Sequence, residues 1–358
     1  MGPAAVRNRI RRRLLSWFGQ NARDLPWRRT CDPYAIWVSE VMLQQTQVET
    51  VKPYYERFLG RFPNVSKLAR ARLDTVLKVW EGLGYYSRAR NLHKAAKTIA
   101  RDLAGVFPRT REGLMSLPGI GPYTAGAIAS IAFDQAVPVV DGNVTRVLCR
   151  LLAVQDDPRQ PATRQRLWSV AGGLVAKGRA GDLNQAMMEL GATLCLVRSP
   201  GCGTCPLRDL CKARCLGLQE RLPLRARRKP VPRHTVAIGV VFKGGRVLID
   251  RRRPSGLLGG LWEFPGGKRQ GGESLKATLK REVWEEVGIR IKVIRPLLRV
   301  DHAYTHFRVR LHVFECRYVS GTPRCLGCTA VRWVRPGQLG RYAFPAANQK
   351  IIAALGQP

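Results

Sequence analysis

Residues 195–211, CLVRSPGCGTCPLRDLC, place four cysteines within 17 positions and are the most informative part of the chain. The spacing is Cys195-x6-Cys202-x2-Cys205-x5-Cys211. Such a loop can present four thiolates to one centre. Thiolates are the ligands of iron–sulfur clusters, and four of them also suit a structural zinc ion. Spacing alone leaves both centres open, with Cys215 as a competing fourth ligand.

The N-terminal segment indicates whether the cysteines are expected to form disulfides. Residues 6–15 are basic, but no small-residue cleavage site follows them, so we expect an amphipathic first helix rather than a secretory signal. Ten cysteines in such a chain argue against a disulfide framework. No apolar run approaches the roughly 20 residues that span a bilayer. We therefore expect a cytoplasmic protein that binds no membrane.

The chain is expected to fold as two domains, because 358 residues are too many for one ordinary core. Apolar residues recur at helical spacing up to about residue 215, without strand-like alternation. Residues 216–232 are rich in proline and arginine, which is typical of a linker. The sequence predicts an all-α domain over 1–215, a connector over 216–232 and a second domain over 233–358.

The second domain is predicted to be α+β. Thr235–Phe242 and Arg246–Asp250 read as two strands around a glycine pair, which predicts a β-hairpin. Residues 274–287 predict a helix with Ser274 as its N-cap. Phe307–Cys316 alternates in the manner of a half-buried strand.

The charge of the chain indicates a polyanionic partner. Its 61 Lys and Arg against 25 Asp and Glu give a formal net charge of +36. Each neutralised phosphate releases a condensed counterion, so nucleic acid fits this excess. A solvated basic surface, or an arginine-biased genome, is the alternative.

Residues 117–125, LPGIGPYTA, form a second informative motif. Two glycines and a proline predict a tight turn whose outward N–H groups, with the following helix N-terminus, can hold a phosphate. Alone, the motif is equally a helix–helix connection. With the cysteine loop about 70 residues later, it resembles the helix-hairpin-helix of the endonuclease III superfamily of DNA glycosylases. The resemblance implies that Gly119 and Gly121 contact DNA, and that the loop binds a [4Fe-4S] cluster through Cys195, Cys202, Cys205 and Cys211.

Asp141 lies between an apolar stretch and Gly142-Asn143. On the residues alone it is a helix N-cap. In the superfamily that the chain resembles, the matching aspartate stabilises the cationic sugar that forms as the glycosidic bond breaks, and both roles can coexist. Members that also cut the strand carry a lysine late in the hairpin. Tyr123 stands there, which predicts a glycosylase without that lyase activity.

Glu40 lies among apolar residues. A carboxylic acid in such surroundings can protonate a purine nitrogen, although a surface glutamate is the ordinary alternative. Residues 24–47 resemble the MutY-type adenine DNA glycosylases. The resemblance makes Glu40 the general acid, paired with Asp141 as in glycosidases. It also implies that Asn143 orients water or the aspartate and that Tyr123 contacts the reacting sugar.

The same resemblance indicates residues that handle an extruded base, whose departure leaves a gap in the stack. Gln45 matches the family's intercalating residue. Leu43 and Tyr85 are expected beside the lesion, with core packing as the alternative for both. Arg28 is expected to line the adenine pocket.

The second domain contains every fixed position of the Nudix box, in Gly267-x5-Glu273-x7-Arg281-Glu282-x2-Glu285-Glu286-x-Gly288. In Nudix hydrolases such glutamates bind Mg²⁺, so a Mg²⁺ site is an expectation here and a charged helix face the alternative. MutY-type enzymes carry a Nudix-like domain that reads 8-oxoguanine, usually with a degraded box. Residual nucleotide hydrolysis therefore stays open. The family's lesion-reading loop matches Tyr304, Thr305 and His306.

We therefore expect a monofunctional glycosylase that removes adenine paired with 8-oxoguanine or guanine from double-stranded DNA. It is expected to be a monomer in a bacterial-type cytoplasm, associated with the nucleoid. The alternatives are a lyase for oxidised pyrimidines, a nucleotide pyrophosphohydrolase with a helical DNA tether, and a non-catalytic lesion-binding protein.

Overall fold

The computed structural model describes residues 3–224, 231–304 and 307–356. By its backbone contacts the chain divides into two compact units. Unit 1 is residues 1–70 with 91–228, and unit 2 is residues 71–90 with 229–358. The expected domain boundaries stay predictions, since residues 225–230 of the connector lie outside the described residues.

The part of the chain up to residue 224 is helical and has no strand among its described residues, which confirms the predicted all-α character. The helices are α1 (Pro3–Asn21), α2 (Pro33–Leu43), α3 (Val48–Arg61), α4 (Val65–Arg70), α5 (Leu73–Val79), α6 (Ser87–Asp102), α7 (Arg111–Met115), α8 (Pro122–Phe133), α9 (Gly142–Leu151), α10 (Pro161–Leu174), α11 (Ala180–Thr193) and α12 (Lys212–Cys215). None of the helices within the described ranges is both long and apolar enough to cross a bilayer.

Two helices of unit 1 are buried over most of their length, and this burial explains their sequences. Nine of the 11 residues of α2 are buried. In α8 the buried residues run without interruption from Thr124 to Ser130. An all-round apolar helix is stable only inside a core, so both helices are internal supports of unit 1.

Two glycines let α11 and α8 pack closely against the segment of chain around Asp141. A Cβ added at Gly191 in α11 would lie 2.6 Å from Cβ of Asn143 and 2.9 Å from its backbone oxygen. At Gly126 in α8 an added Cβ would lie 2.6 Å from the backbone oxygen of Pro138. The absence of side chains at these two positions therefore allows α11 to approach the first turn of α9, and α8 to approach the segment before it.

The substitution Gly191→Ala is expected to lower the free energy of unfolding by about 1–3 kcal/mol, the usual cost of overpacking. Its added methyl group meets backbone that cannot move independently. The matched control is Gly173→Ala in α10, where an added Cβ has its nearest neighbour, Arg7 Cδ, at 3.6 Å. The control is expected to be neutral or slightly stabilising, because alanine favours a helix over glycine. Urea unfolding of both variants measures the difference, and equal unfolding midpoints would contradict the close approach.

Unit 2 is built on a seven-stranded sheet with the order β3-β2-β1-β6-β5, in which β4 also pairs with β1 and β7 with β2. The strands are β1 (Arg233–Lys243), β2 (Arg246–Arg251), β3 (Trp262–Glu263), β4 (Gly266–Lys268), β5 (Arg290–Ala303), β6 (Arg308–Ser320) and β7 (Ala330–Val334), and the helices are α13 (Leu275–Val287) and α14 (Ala346–Leu355). The pair β1–β6 is parallel, and the others are antiparallel.

The predicted hairpin and the predicted helix of the second domain are both confirmed. β1 and β2 are antiparallel neighbours, and Ser274 caps α13 by accepting a hydrogen bond from the backbone N–H of Ala277. One apolar core lies between the sheet and α13, and another contains residues of the sheet and of α14. Unit 2 is therefore α+β, as expected.

Residues 71–90 belong to unit 2 although they precede it by more than a hundred positions. A carboxylate oxygen of Glu81 accepts hydrogen bonds from the backbone N–H of Phe344 at 2.8 Å and from Nε2 of Gln349 at 2.6 Å. Asp74 forms an ion pair of 2.8 Å with Arg251. These contacts fasten the segment to the Nudix-like part.

Candidate active site

Unit 1 contains a cavity of about 170 Å³ where α2, α8, α11 and the start of α9 meet. Its polar lining residues are Arg23, Arg28, Ser39, Glu40, Thr46, Tyr123, Asp141, Asn143, Gln185 and Glu189. Trp27, Ile36, Leu43 and Met188 are among the residues of its apolar wall. The cavity thus brings together the four residues that the sequence predicted to be catalytic, Glu40, Tyr123, Asp141 and Asn143.

Glu40 is buried, with only 4% of its surface exposed, and so it is not the surface glutamate of the ordinary alternative. The Tyr123 hydroxyl donates a hydrogen bond of 2.7 Å to its Oε2. Burial raises the pKa of Glu40 to about 7, opposed by the Tyr123 hydrogen bond and assisted by the charge of Asp141. Near neutral pH, Glu40 can therefore hold a proton and release it.

Asp141 caps α9 and also faces the cavity. Its Oδ1 accepts a hydrogen bond of 2.7 Å from the backbone N–H of Val144, and its Oδ2 accepts one of 2.9 Å from Nδ2 of Asn143. Burial raises the pKa of Asp141, while these hydrogen bonds favour the charged form. Asp141 is therefore the N-cap of α9, as the alternative interpretation expected, and its carboxylate also lines the cavity.

Glu189 was missed by the sequence analysis and is the most tightly held carboxylate of the site. Arg23 donates hydrogen bonds of 2.7 and 2.8 Å to its two oxygens, and Arg28 donates one of 2.9 Å. Although burial raises the pKa of Glu189, these hydrogen bonds lower it to about 2. Glu189 is therefore a fixed anion on the cavity wall. A glutamate in the apolar run of α11 was the signal available in the sequence.

The hairpin lies directly before α8. Gly119 has a φ of 78°. A Cβ added at this glycine would lie only 2.5 Å from Cβ of Asn91, so the position has no room for a side chain. Gly121 is the N-cap of α8 and is followed by proline at the first helical position. The first N–H groups of a helix have no partner within that helix, so this turn has the geometry expected of a phosphate-binding site.

The structure gives different surroundings to the residues expected to handle an extruded base. Arg28 and Leu43 line the cavity of unit 1. Gln45 is exposed and has a φ of 61°, a conformation that costs free energy in a residue other than glycine. Tyr85, in unit 2, also has a positive φ, of 47°. Backbone strain of this kind concentrates at functional sites.

The four cysteines of the loop line one small cavity in unit 1 together with Arg150 and Arg214. Nη1 of Arg150 donates a hydrogen bond of 3.2 Å to Sγ of Cys195. Backbone N–H groups donate to the sulfurs of Cys205 and Cys211. Donors to sulfur stabilise ligating thiolates. Among the residues that the structure describes, no three His, Cys, Asp or Glu side chains are arranged to hold a single metal ion.

The Nudix-box residues form an ion-pair network centred on Arg281, which contacts Glu273, Glu282 and Glu285 at 2.7–3.0 Å. Oε2 of Glu286 accepts a hydrogen bond of 3.0 Å from the backbone N–H of Gly266. Burial and the nearby Glu263 raise the pKa of Glu286 to about 8. The arrangement therefore gives no support to the expected Mg²⁺ site.

Unit 2 holds a cavity of about 320 Å³ that is lined by Tyr85, Tyr86, Arg90, Leu258, Tyr304 and Phe307, among others. Tyr304 is half-buried and stacks on Phe307, with ring centroids 4.7 Å apart. Thr305 and His306, the other two residues of the predicted lesion-reading loop, lie outside the described residues. Tyr85 and Tyr304, two of the predicted lesion contacts, thus line the same cavity.

Comparison with known proteins agrees with this architecture. Residues 38–172 match the model of the HhH-GPD superfamily base excision DNA repair proteins, and residues 237–354 match the NUDIX domain. The human adenine DNA glycosylase is 39% identical over 95% of this chain and 72% of its own length. The chain belongs to the adenine DNA glycosylase family.

Other members of the adenine DNA glycosylase family support the same assignment. The Buchnera aphidicola (Acyrthosiphon pisum) adenine DNA glycosylase is 33% identical over 86% of this chain and 87% of its own length. Among solved structures, a thermostable thymine-DNA glycosylase is 29% identical, with a TM-score of 0.55 over 59% of this chain and 97% of that one. An endonuclease III–DNA complex, 22% identical with a TM-score of 0.51 over 61% of this chain and 100% of that one, shows the same fold. As an adenine DNA glycosylase, the chain hydrolyses N-glycosyl bonds in DNA.

Proposed function

We propose that this adenine DNA glycosylase removes adenine paired with 8-oxoguanine, or with guanine, after extruding the adenine from the duplex. The observation that carries the proposal is the meeting of Glu40 and Asp141 in one cavity of unit 1. One carboxyl group has a pKa of about 7 and the other lies at a helix N-terminus. An acid and an anion at the same site are what cleavage of a glycosidic bond requires.

In this mechanism Glu40 protonates a ring nitrogen of the adenine, so that the base leaves as a neutral molecule. The carboxylate of Asp141 stabilises the cationic sugar, and Asn143, which donates to Asp141, keeps that carboxylate in position. Tyr123 holds the Glu40 carboxyl group and contacts the sugar. Glu189 keeps Arg23 and Arg28 in place on the cavity wall, because its two oxygens accept four hydrogen bonds from these arginines.

DNA binding is assigned to the exposed features of unit 1. The N–H groups around Gly119 and Gly121 hold a phosphate, and Gln45 enters the gap that the extruded base leaves. The lesion opposite is assigned to the cavity of unit 2, where Tyr85 and Tyr304 can stack against an oxidised purine. We also propose that the protein acts as a monomer in a bacterial-type cytoplasm.

The experiment is an excision assay under single-turnover conditions. The duplexes hold adenine opposite 8-oxoguanine, guanine or thymine, and alkali treatment reveals each abasic site. Breaks are expected at adenine opposite 8-oxoguanine and guanine, with few opposite thymine. Equal rates on all three duplexes would refute mispair specificity. Borohydride should trap no covalent complex, because Tyr123 has no amine to form a Schiff base.

We further propose that Cys195, Cys202, Cys205 and Cys211 hold a [4Fe-4S] cluster. The support is the thiol donor set around one cavity, with hydrogen-bond donors directed at the sulfurs. Such a cluster would supply a covalent cross-link of the loop rather than chemistry on the base. Arg198 and Arg208, which lie between the ligands within the loop, would then be held in position to face the DNA backbone.

Metal analysis of the purified protein is expected to find iron and acid-labile sulfide in a ratio close to one. Cys202→Ser is expected to lower both, since disturbing a metal site commonly costs about tenfold or more in metal affinity. It should also weaken DNA binding, because the loop loses its cross-link. Cys215→Ser, at the last residue of the short helix α12, is the matched control and should keep wild-type iron. One zinc per chain in place of iron would show that the alternative reading of the spacing is correct.

A further inference from the structure

The loop between β6 and β7 carries a second Cys-x2-Cys motif, Cys325-Leu-Gly-Cys328, that the proposed function does not use. Cys325 is exposed, and Cys328 is buried with 7% of its surface exposed. The two thiols are hydrogen-bonded to each other. The motif therefore places an exposed thiol in hydrogen-bond contact with a buried one.

The loop that carries these cysteines is fastened to the end of α13. The backbone N–H groups of Leu326 and Gly327 donate hydrogen bonds of 3.1 and 3.0 Å to the backbone oxygen of Glu286. Sγ of Cys328 donates to the same oxygen at 3.8 Å. A Cβ added at Gly327 would lie 3.2 Å from Cα of Glu286, so a side chain there would crowd the helix. The loop position is thus set independently of any bond between the sulfurs.

Glu286 connects the loop to the interior of unit 2. Its side chain lines a cavity of about 440 Å³, in which Glu263, Arg252 and Asn348 also take part. Burial, with the carboxyl group of Asp250 and the thiol of Cys325 nearby, raises the pKa of Cys328 to about 12. Of the two thiols, the exposed Cys325 is consequently the one that an external reagent meets first.

We propose that Cys325 and Cys328 are a reversible oxidation site that forms an internal disulfide by exchange with a low-molecular-weight disulfide. The Cys325 thiolate attacks one sulfur of that disulfide, whose S–S bond breaks and releases one thiolate. Cys328 then gives up its proton and attacks the Cys325 sulfur, which displaces the second thiol. Two protein thiols are oxidised, and one external disulfide is reduced to two thiols.

The disulfide would close a short ring around Leu326 and Gly327, whose amides bind the backbone oxygen of Glu286 near the end of α13. In the reduced protein the loop is held by hydrogen bonds alone, and these open by local unfolding. After oxidation, the amides of Leu326 and Gly327 are expected to exchange with deuterium more slowly, by about tenfold or more. The backbone beside Glu286 would become more rigid as a result.

The test uses the full chain in defined mixtures of reduced and oxidised glutathione without oxygen, followed by alkylation with iodoacetamide and digestion with trypsin. Both cysteines fall on one expected tryptic peptide, residues 325–332. The peptide is expected to lose two hydrogens and to escape alkylation as the mixture becomes oxidising. Cys31, a single exposed cysteine on the peptide of residues 30–57, is the internal control and should take up glutathione instead.

Cys325→Ser is the informative variant, because the side chain is exposed and the fold does not depend on it. It should keep the iron content and the excision rate of the wild type under reducing conditions, and its Cys328 should remain alkylatable only after unfolding. The proposal is overturned if the wild-type peptide carries glutathione on Cys325 with no internal disulfide, when Cys31 is fully modified. It is equally overturned if both thiols remain reduced under those conditions.

Discussion

Replacing Asp141 with asparagine is expected to abolish adenine excision while leaving DNA binding intact. The change removes the negative charge that faces the cationic sugar and keeps the size of the side chain and its role as N-cap of α9. We expect the single-turnover rate to fall more than about 1,000-fold, the order lost when preorganised transition-state stabilisation is removed. The measurement is alkali-revealed cleavage at adenine opposite 8-oxoguanine, with binding followed separately on the same duplex.

Asp134 offers a matched control for this substitution. It also accepts two backbone hydrogen bonds, from the N–H groups of Gly178 at 2.7 Å and Ala180 at 2.8 Å, but it is exposed and does not line the cavity. Asp134→Asn should excise at close to the wild-type rate. Normal cleavage by the Asp141 variant would show that the site is assigned wrongly, whereas loss of binding would show that the aspartate is structural.

The substitution Glu40→Gln is expected to slow excision by about 100- to 10,000-fold, the usual contribution of a general acid. Glu40 acts in its protonated form, and burial raises its pKa to about 7. The wild-type rate should therefore hold below about pH 7 and fall about tenfold for each further pH unit. The variant cannot titrate at this position, so its residual rate should be flat across the same range. Rates measured from pH 5.5 to 9 give both results.

The substitution Tyr123→Phe removes the hydroxyl group that donates a hydrogen bond to the Glu40 carboxyl group. The Tyr123 hydroxyl favours the charged form of Glu40, so its removal should raise the pKa of Glu40 further. The fall of the rate at high pH is expected to move to higher pH in this variant, even where the maximum rate is lower. An unmoved profile would mean that a different group than Glu40 governs the pH dependence.

The elements that the sequence predicted correctly depend on local signals. The glycine pair between β1 and β2 and the serine before α13 each act within a few residues, so hydropathy and turn chemistry suffice to find them. The proposed catalytic pair was found through motifs. The structure adds that Glu40 and Asp141 line the same cavity, although they are about 100 positions apart.

The features that were not predicted depend on contacts between distant residues. Glu189 lies on the cavity wall because Arg23 and Arg28 compensate its charge, and no spacing in the sequence links positions more than 160 apart. Strand β5, which has three register shifts against β6, and the short strands β3 and β4 take part in the sheet through pairing rather than through their own sequence pattern. In both cases, contacts with residues distant in the sequence determine the structure, and local sequence patterns do not reveal them.

The attachment of residues 71–90 to unit 2 affects how such a protein can change by recombination. An exchange of the C-terminal half at the connector would give Glu81, Asp74 and Lys78 a foreign surface in place of Phe344, Arg251 and Tyr342. A functional chimaera would have to carry two separate inserts from the same parent. The two halves are therefore expected to be inherited together.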